Sequence, residues 1–333
     1  LAGPELEGRG FGSAGLARAA DYLAREFAKI GLVPAGDDSD GYFASFQAEG
    51  GEPKREVTLK NIIGIIPGSD PSLVDQPVVV GAHYDHLGRG WPDVRHGNEG
   101  VIHPGASDNA SGVAVLLELA RLLKDNSRHL RPIVVVAFSG EEAGRLGSRH
   151  FLANFPQAQQ AIGMLNLDTV GHLGKGPLLV LGAGSAQEWP HIFRGAGFVT
   201  GVEVKTVAEE LDASDQVSFL NAGVPAVQLF SGPHPSYHRP SDTPGKIDPA
   251  GLVKAAAVAQ EAIKYLADRR DPLTGRRGKQ EEAAAPARGS TRRVSLGTVP
   301  DFAYTGEGYR LSGVTPNSPA ARAGLQAGDV IVE

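Results

Sequence analysis

Five side chains able to bind a metal stand well apart in this sequence: His83, Asp108, Glu142, Asp168 and His238. Two imidazoles and three carboxylates suit zinc, with Mn2+ or Co2+ as alternatives. One catalytic zinc takes about three protein ligands plus a water, so five ligands are too many for one ion. A carboxylate shared between two metals resolves the count, giving each ion three protein ligands and a shared water. Asp108 is the best bridge, because it opens a helix from the Gly/Ser/Asn-rich run 105–112. Asp85 follows His83 by two residues; on an extended segment both side chains point the same way, so a carboxylate could orient the imidazole. Glu141 and Glu142 are neighbours in a turn and face different directions, so one can ligate while the other moves protons. Taken singly, each residue has a plainer reading: a chance His-x-Asp, a solvated Glu pair, a helix cap, a turn former. Those readings fail jointly, because every candidate falls at the predicted carboxyl edge of one sheet.

That sheet is predicted from short apolar runs. Stretches 57–66, 77–82, 131–139, 162–168, 177–182, 202–207 and 225–230 read as strands. Stretches 111–123, 187–196, 214–221 and 248–267 read as helices, after a first helix capped by Ser13 and stopped by Gly31. The segment 34–47 reads as loop. Apolar strands without polar alternation, interleaved with helices, predict an α/β fold of three layers, α/β/α, around a mixed, largely parallel sheet. In such sheets, sites form outside the carboxyl ends of the strands.

Composition narrows the function. The chain has 333 residues, a net charge of -6 and no cysteine. Disulfide scaffolds, thiolate zinc sites and cysteine nucleophiles are excluded. Mild acidity argues against nucleic-acid binding, and no apolar run approaches the roughly 20 residues of a membrane span. The organisation expected is a catalytic domain over 1–268, a flexible charged linker over 269–293, and an incomplete module over 294–333. The chain begins at Leu1 and ends at Glu333, which reads as trimmed at both ends. A secreted or periplasmic protein, its signal peptide not in this chain, is expected.

The motifs His83-Tyr84-Asp85-His86-Leu87-Gly88, Gly105-Ala106-Ser107-Asp108-Asn109-Ala110-Ser111-Gly112, Ser139-Gly140-Glu141-Glu142, Asn166-Leu167-Asp168 and Tyr237-His238-Arg239-Pro240-Ser241-Asp242 resemble those of the co-catalytic zinc aminopeptidases. This is the twenty-eighth metallopeptidase family, with bacterial leucyl aminopeptidases and glutamate carboxypeptidases among its members. The opening Glu5-Leu6-Glu7-Gly8-Arg9-Gly10 looks similar to the family's N-terminal region. The resemblance implies a two-zinc enzyme of the zinc exopeptidase fold that removes N-terminal residues from peptides. It implies one metal on His83, Asp108 and Asp168, and another on Asp108, Glu142 and His238. Glu141 would be the general base toward a water bridging the ions, Asp85 the partner of His83, and Tyr237 a donor to the tetrahedral intermediate. It also implies a cis peptide after Asp108. One position departs: Gln216 stands where the family often has His, which removes a titratable group. His86, His103 and His234 are expected beside the centre or at its rim. The run 309–331 resembles the start of a PDZ domain of the bacterial protease type, which would bind peptide termini only in a longer chain.

Other chemistries remain open on the same residues. A carboxypeptidase or aminoacylase would use arginines such as Arg145 and Arg149 to clamp a carboxylate, and a glutaminyl-cyclase-like enzyme would hold a single zinc. A binding ectodomain without metals would not need complete ligands plus Glu141. Leu181-Gly182-Ala183-Gly184 lacks the third glycine of a nucleotide loop. Pocket shape is expected from the loops 91–103 and 231–236.

Overall fold

A computed structural model describes all residues except 38–40, 95, 96, 127, 210–213, 276–295, 301–303, 305–307, 315–317 and 333. Nine strands form the main sheet: β1 (Val33–Pro34), β2 (Phe43–Gly50), β3 (Arg55–Ile66), β4 (Val78–His83), β5 (Ile133–Phe138), β6 (Gly163–Leu167), β7 (Leu178–Leu181), β8 (Val204–Val207) and β9 (Ala226–Phe230). Their order is β1-β3-β5-β4-β6-β9-β7-β8, with β2 added on β3. The centre, β5-β4-β6-β9, is parallel, and antiparallel pairs flank it at β3/β5 and β9/β7. The expected mixed, largely parallel sheet is what forms.

The central strands carry Val, Ile and Leu on both faces because helices cover both faces. All six residues of β4 and of β5 are buried. Helices α1 (Ala14–Ile30), α2 (Gly112–Asn126), α3 (Leu146–Asn154), α4 (Trp189–Thr200), α5 (Gln216–Asn221) and α6 (Pro249–Asp268) make the outer layers. Among the described residues, one large buried cluster holds Leu23, Phe27, Leu116, Trp189 and Ile263, a second holds Phe138, Phe151 and Phe219, and a small third holds Leu179, Leu181, Val207 and Phe230. Ser13 caps α1 by accepting the Leu16 N–H, and Gly31 ends it at φ 79, a left-handed conformation that suits glycine.

Two elements differ from the sequence reading. The segment expected as loop contains β2, which pairs with β3 from Phe43↔Ile62 to Gly50↔Arg55. Its half-exposed alternation, with Ser45, Gln47 and Glu49 between apolar neighbours, carries a weak signal, and the partner strand supplies the rest. Helix α3, directly after the Glu pair, had no assignment at all.

Beyond Asp268 the chain stays against this body as far as Gly275. Leu273 is buried, Arg131 donates to the Arg269 and Arg270 carbonyls, and Gly275 bridges to Ala186. Most of the expected linker lies outside the described residues. In the C-terminal segment, β10 (Thr298–Pro300), β11 (Tyr309–Val314) and β12 (Val330–Ile331) form a small antiparallel sheet with a single turn of helix, α7 (Pro319–Arg322). Leu311 and Ala320 are buried there, while Tyr309, Val330, Ile331 and Val332 are exposed.

Candidate metal centre

All five sequence-predicted ligands come together at the carboxyl edge of the parallel strands. His83 is the last residue of β4, Asp168 follows β6, and Glu142 sits in the turn after β5. Asp108 lies in the wide turn Ala106–Ser111 that leads into α2, and His238 in the loop after β9. All five are buried.

The two carboxylate oxygens of Asp108 face opposite ways. Oδ1 lies 3.3 Å from His83 Nε2, and Oδ2 lies 3.1 Å from His238 Nε2. Each imidazole meets a second carboxylate: His83 Nε2 is 3.4 Å from Asp168 Oδ1, and His238 Nε2 is 3.4 Å from Glu142 Oε2. His83 Nδ1 is 3.2 Å from the Asp85 carbonyl oxygen. A carbonyl only accepts, so Nδ1 carries a proton, and in the neutral ring the Nε2 lone pair faces the carboxylates. Lone pairs on nitrogen and oxygen converging in a buried space fit a cation between them. The donor set, nitrogen and oxygen without sulfur, is one zinc accepts.

The local sequence builds this arrangement. Asn109 donates from Nδ2 to the Leu167 carbonyl, and its Oδ1 accepts the Gly112 and Thr169 N–H groups, tying the Asp108 turn to the end of β6. A side chain at Gly112 would strike Asn109 Oδ1 and the Leu167 carbonyl. The Asp108–Asn109 peptide is cis, as the resemblance implied. Thr169 at φ 53 and His238 at φ 54 occupy the left-handed region. For a β-branched threonine this costs roughly 1–3 kcal/mol; Thr169 Oγ1 donates to Asp168 Oδ1 at 2.9 Å, which fixes the ligand's orientation.

The carboxylate of Asp85 serves two neighbours. It stands 3.8 Å from His83 Nδ1 and accepts the N–H groups of Glu141, at 3.1 Å, and Glu142, at 3.3 Å. It therefore sets the turn that carries both glutamates. Tyr237 stacks on the His238 ring at 4.0 Å and is 42% exposed.

Charge and burial set the protonation states. Burial opposes charging His83, but Asp168 and Asp108 outweigh it and raise its pKa well above the ordinary value. The same holds for His238, where Glu142 and Asp108 outweigh burial. Burial raises Asp108, but His86, His238 and His83 hold it well below the usual range. Glu141 goes the other way: burial, with Glu142 and Asp215 nearby, raises it strongly against the pull of His83. A carboxyl displaced upward while Glu142 and Asp108 are held low is suited to accept and return a proton.

Several contributing residues were not evident in the sequence. His86, expected beside the centre, reaches Glu142 Oε1 with Nδ1 at 2.8 Å, and its Nδ1 is 3.9 Å from Asp108. His86, Asp108 and Glu142 thus form a ligand-capable set of their own, alongside His83, Asp108 and Asp168. Asp93 receives a bond from His238 Nδ1 at 2.9 Å; the only signal for it was its place in a loop expected to shape the pocket. Arg9 is fully buried and donates to the carbonyls of Tyr84, Pro104, Gly105 and Leu1, joining the His83 and Asp108 loops. Asp242 accepts the N–H groups of Ser107 and Asp108. Gln216, the departure, is buried in an amide chain with Asn166 and Gln228. His103 is buried, with Nδ1 2.9 Å from the Val101 carbonyl. Arg149 is exposed and Arg145 half-buried at the start of α3.

Comparison with known proteins finds relatives for both parts of the chain. Aminopeptidase YwaD of Bacillus subtilis is 29% identical over 231 residues, 62% of this chain and 45% of its own length. Leupeptin-inactivating enzyme 1 of Streptomyces exfoliatus is 28% identical over 230 residues, 67% of this chain and 44% of its own. The chain thus spans about half the length of the curated relatives it matches. A zinc aminopeptidase structure from Bacillus subtilis superimposes with a TM-score of 0.54 at 27% identity, covering 65% of this chain and 53% of that one. A Fimbriiglobus ruber glutaminyl cyclase reaches 0.63 at 20% identity, covering 78% and 90%, a likeness of fold alone. Residues 310–333 match the PDZ domain model. Residues 61–263 match the model of peptidase family M28, and the chain belongs to that family.

Proposed function

We propose that this chain is a metal-dependent aminopeptidase holding two zinc ions, one on His83, Asp108 and Asp168 and the other on Asp108, Glu142 and His238. The observation that carries the reading is the carboxylate of Asp108, whose two oxygens face two imidazoles that each meet one further carboxylate. The zinc aminopeptidases among its relatives support it. Zinc, when bound, lowers the pKa of a coordinated water and polarises a carbonyl oxygen.

The chain's own residues do the rest. Glu141, raised in pKa by burial, takes the proton of the attacking water and returns it to the leaving amine. Asp85 holds the turn that aims Glu141 by accepting its N–H. The Tyr237 hydroxyl donates to the oxyanion as the carbonyl carbon becomes tetrahedral, and the stack on His238 fixes the direction of the ring. The substrates are peptides with a free N-terminus. The domain limits proposed are a catalytic body carried through to Gly275 and a PDZ-like segment from 294, and export from the cytoplasm is proposed with them.

The test uses an aminoacyl-nitroanilide, an N-blocked peptide and the variant Glu141→Gln. The free amine substrate should turn over and the blocked one should not. Glu141→Gln should lower kcat by about 10²–10⁴ with bound zinc unchanged. Cleavage of the blocked peptide would point to the carboxypeptidase or aminoacylase reading. Full activity in Glu141→Gln would sink the assignment of the base.

A further inference from the structure

The described residues hold a third set of metal-capable donors, none of them used above as a ligand. His172 lies in the turn beyond Asp168, His234 in the loop after β9, and Asp242 in the segment leading toward α6. One ring nitrogen of each histidine and one oxygen of Asp242 lie within 4.8 Å of one another. The two rings stand 4.0 Å apart at 30°.

Hydrogen bonding leaves this set unexplained. Neither nitrogen of His234 has a partner among the described residues, nor does Nε2 of His172. His234 is only 7% exposed, so water does not readily satisfy it. A buried imidazole unpaired at both nitrogens is uncommon, because each nitrogen loses its bond to water and gains nothing. Ring stacking satisfies neither nitrogen. A metal ion would satisfy one nitrogen on each ring.

The third donor is already oriented. Asp242 is fully buried, and both its oxygens accept the Ser107 N–H at 3.0 Å. Oδ2 also accepts the Asp108 N–H, at 3.1 Å. These amides leave lone pairs on each oxygen and hold the carboxylate still, as partners of a metal ligand do. The charges around the set are mixed. Lys246, whose ammonium donates to Ser236 Oγ at 2.9 Å, disfavours a cation. Asp242 and Asp248 beside His172, and Asp108 toward His234, oppose it. Burial first, then His172, pushes His234 down to about 4, so its lone pairs are free at neutral pH.

We propose that His172, His234 and Asp242 form a further zinc site, separate from the Asp108 centre. Two imidazoles and a carboxylate are a complete protein set for zinc with one position left to water, and half-buried His172 marks the side open to solvent. An ion here ties the loop carrying Tyr237 and His238 to the turn after β6. The Ser231 side chain already runs the same way, since its Oγ donates to the Thr169 carbonyl at 2.7 Å and accepts the His172 N–H at 3.0 Å.

The experiment counts metal in the whole chain. Wild type, His172→Asn and His234→Asn are stripped with chelator, titrated with zinc, freed of excess ion and analysed for zinc per chain. Circular dichroism checks each fold. Both variants should hold one equivalent fewer than wild type, and one step of the calorimetric zinc titration should vanish. Equal zinc in wild type and His172→Asn overturns the proposal. If His234→Asn fails to fold, His172→Asn decides alone, since its half-exposed position tolerates an amide. The readout is a difference between proteins, so an error in the number of ions at Asp108 shifts every total alike and leaves this result standing.

Discussion

The two halves of the Asp108 centre are built from different material. On one side, His83 ends β4 and Asp168 follows β6, and these strands are paired from Val78↔Gly163 to Gly81↔Asn166. The sheet ladder itself sets the distance between the two ligands. On the other side, Glu142 comes from a turn and His238 from a long loop, at a left-handed φ. Extra side chains gather on that second side: His86 on Glu142 and Asp93 on His238. The strand ladder spaces the first pair, with Thr169 Oγ1 on Asp168 as a side-chain partner, whereas both loop ligands are placed by side-chain partners without a ladder. Any ordering that loop ligands undergo on binding subtracts from their affinity, a cost the strand ladder removes for the other pair.

The largest effect should come from the residue both halves share. Asp108→Asn should remove zinc from both sides and lower kcat by at least about 10⁴, as when a catalytic unit fails together. Zinc retained at one side would show that the halves do not depend on a common carboxylate. Tyr237→Phe keeps the ring on His238 and removes only the hydroxyl. It should cost about 10²–10³ in kcat, the scale of one lost oxyanion donor, with KM little changed. A rise in KM at constant kcat would instead make Tyr237 a binding residue. Asp93→Asn should weaken zinc about 10–100-fold at the loop side only, read as a shift in the weaker step of a chelator competition. A shift in both steps would mean the halves are not separately held.

How far the sequence reveals these halves depends on how local each signal is. Strand-end ligands were legible because an apolar run that stops at a polar residue is a local pattern, repeated at His83 and Asp168. The Glu pair follows the same pattern, since the apolar run 131–139 stops just before it, while His238 stood out by residue type and by completing the ligand count. Asp93 and Arg9 were not legible as partners. Their contacts join segments far apart in sequence, Asp93 to His238 and Arg9 to the Pro104 and Gly105 carbonyls. The same cause hid β2, whose alternation is polar and whose definition comes from β3. Asp85 adds a contact that no local pattern shows: its carboxylate, 3.8 Å from His83 Nδ1, also accepts the amides of a turn far away in sequence.

The smallest expected effect concerns stability and pH, and it separates the halves by their energies. In the zinc-free chain, His83 and His238 have folded pKa values raised above the ordinary value of about 6.5, since neighbouring carboxylates outweigh burial. A raised pKa contributes stability that is full below the unfolded value and is lost as pH climbs through the folded one. Burial raises Glu141 and Asp85, and their effect has the same sign. In the zinc-free chain the carboxyl part of this loss should begin near pH 4 and the histidine part near pH 6.5. Zinc reverses the sign, because it binds the neutral imidazole and competes with protons. The stability gap between zinc-loaded and chelated protein, read as a difference in Tm, should widen as pH rises, reaching about 2.7 kcal/mol per site at zinc 100-fold over its Kd. Calorimetry on His83→Ala and His238→Ala then divides the gap between the sides. The strand side should carry the larger share, because less of its binding energy goes into ordering a loop. If both variants narrow the gap equally, the difference between strand and loop ligands has no energetic consequence.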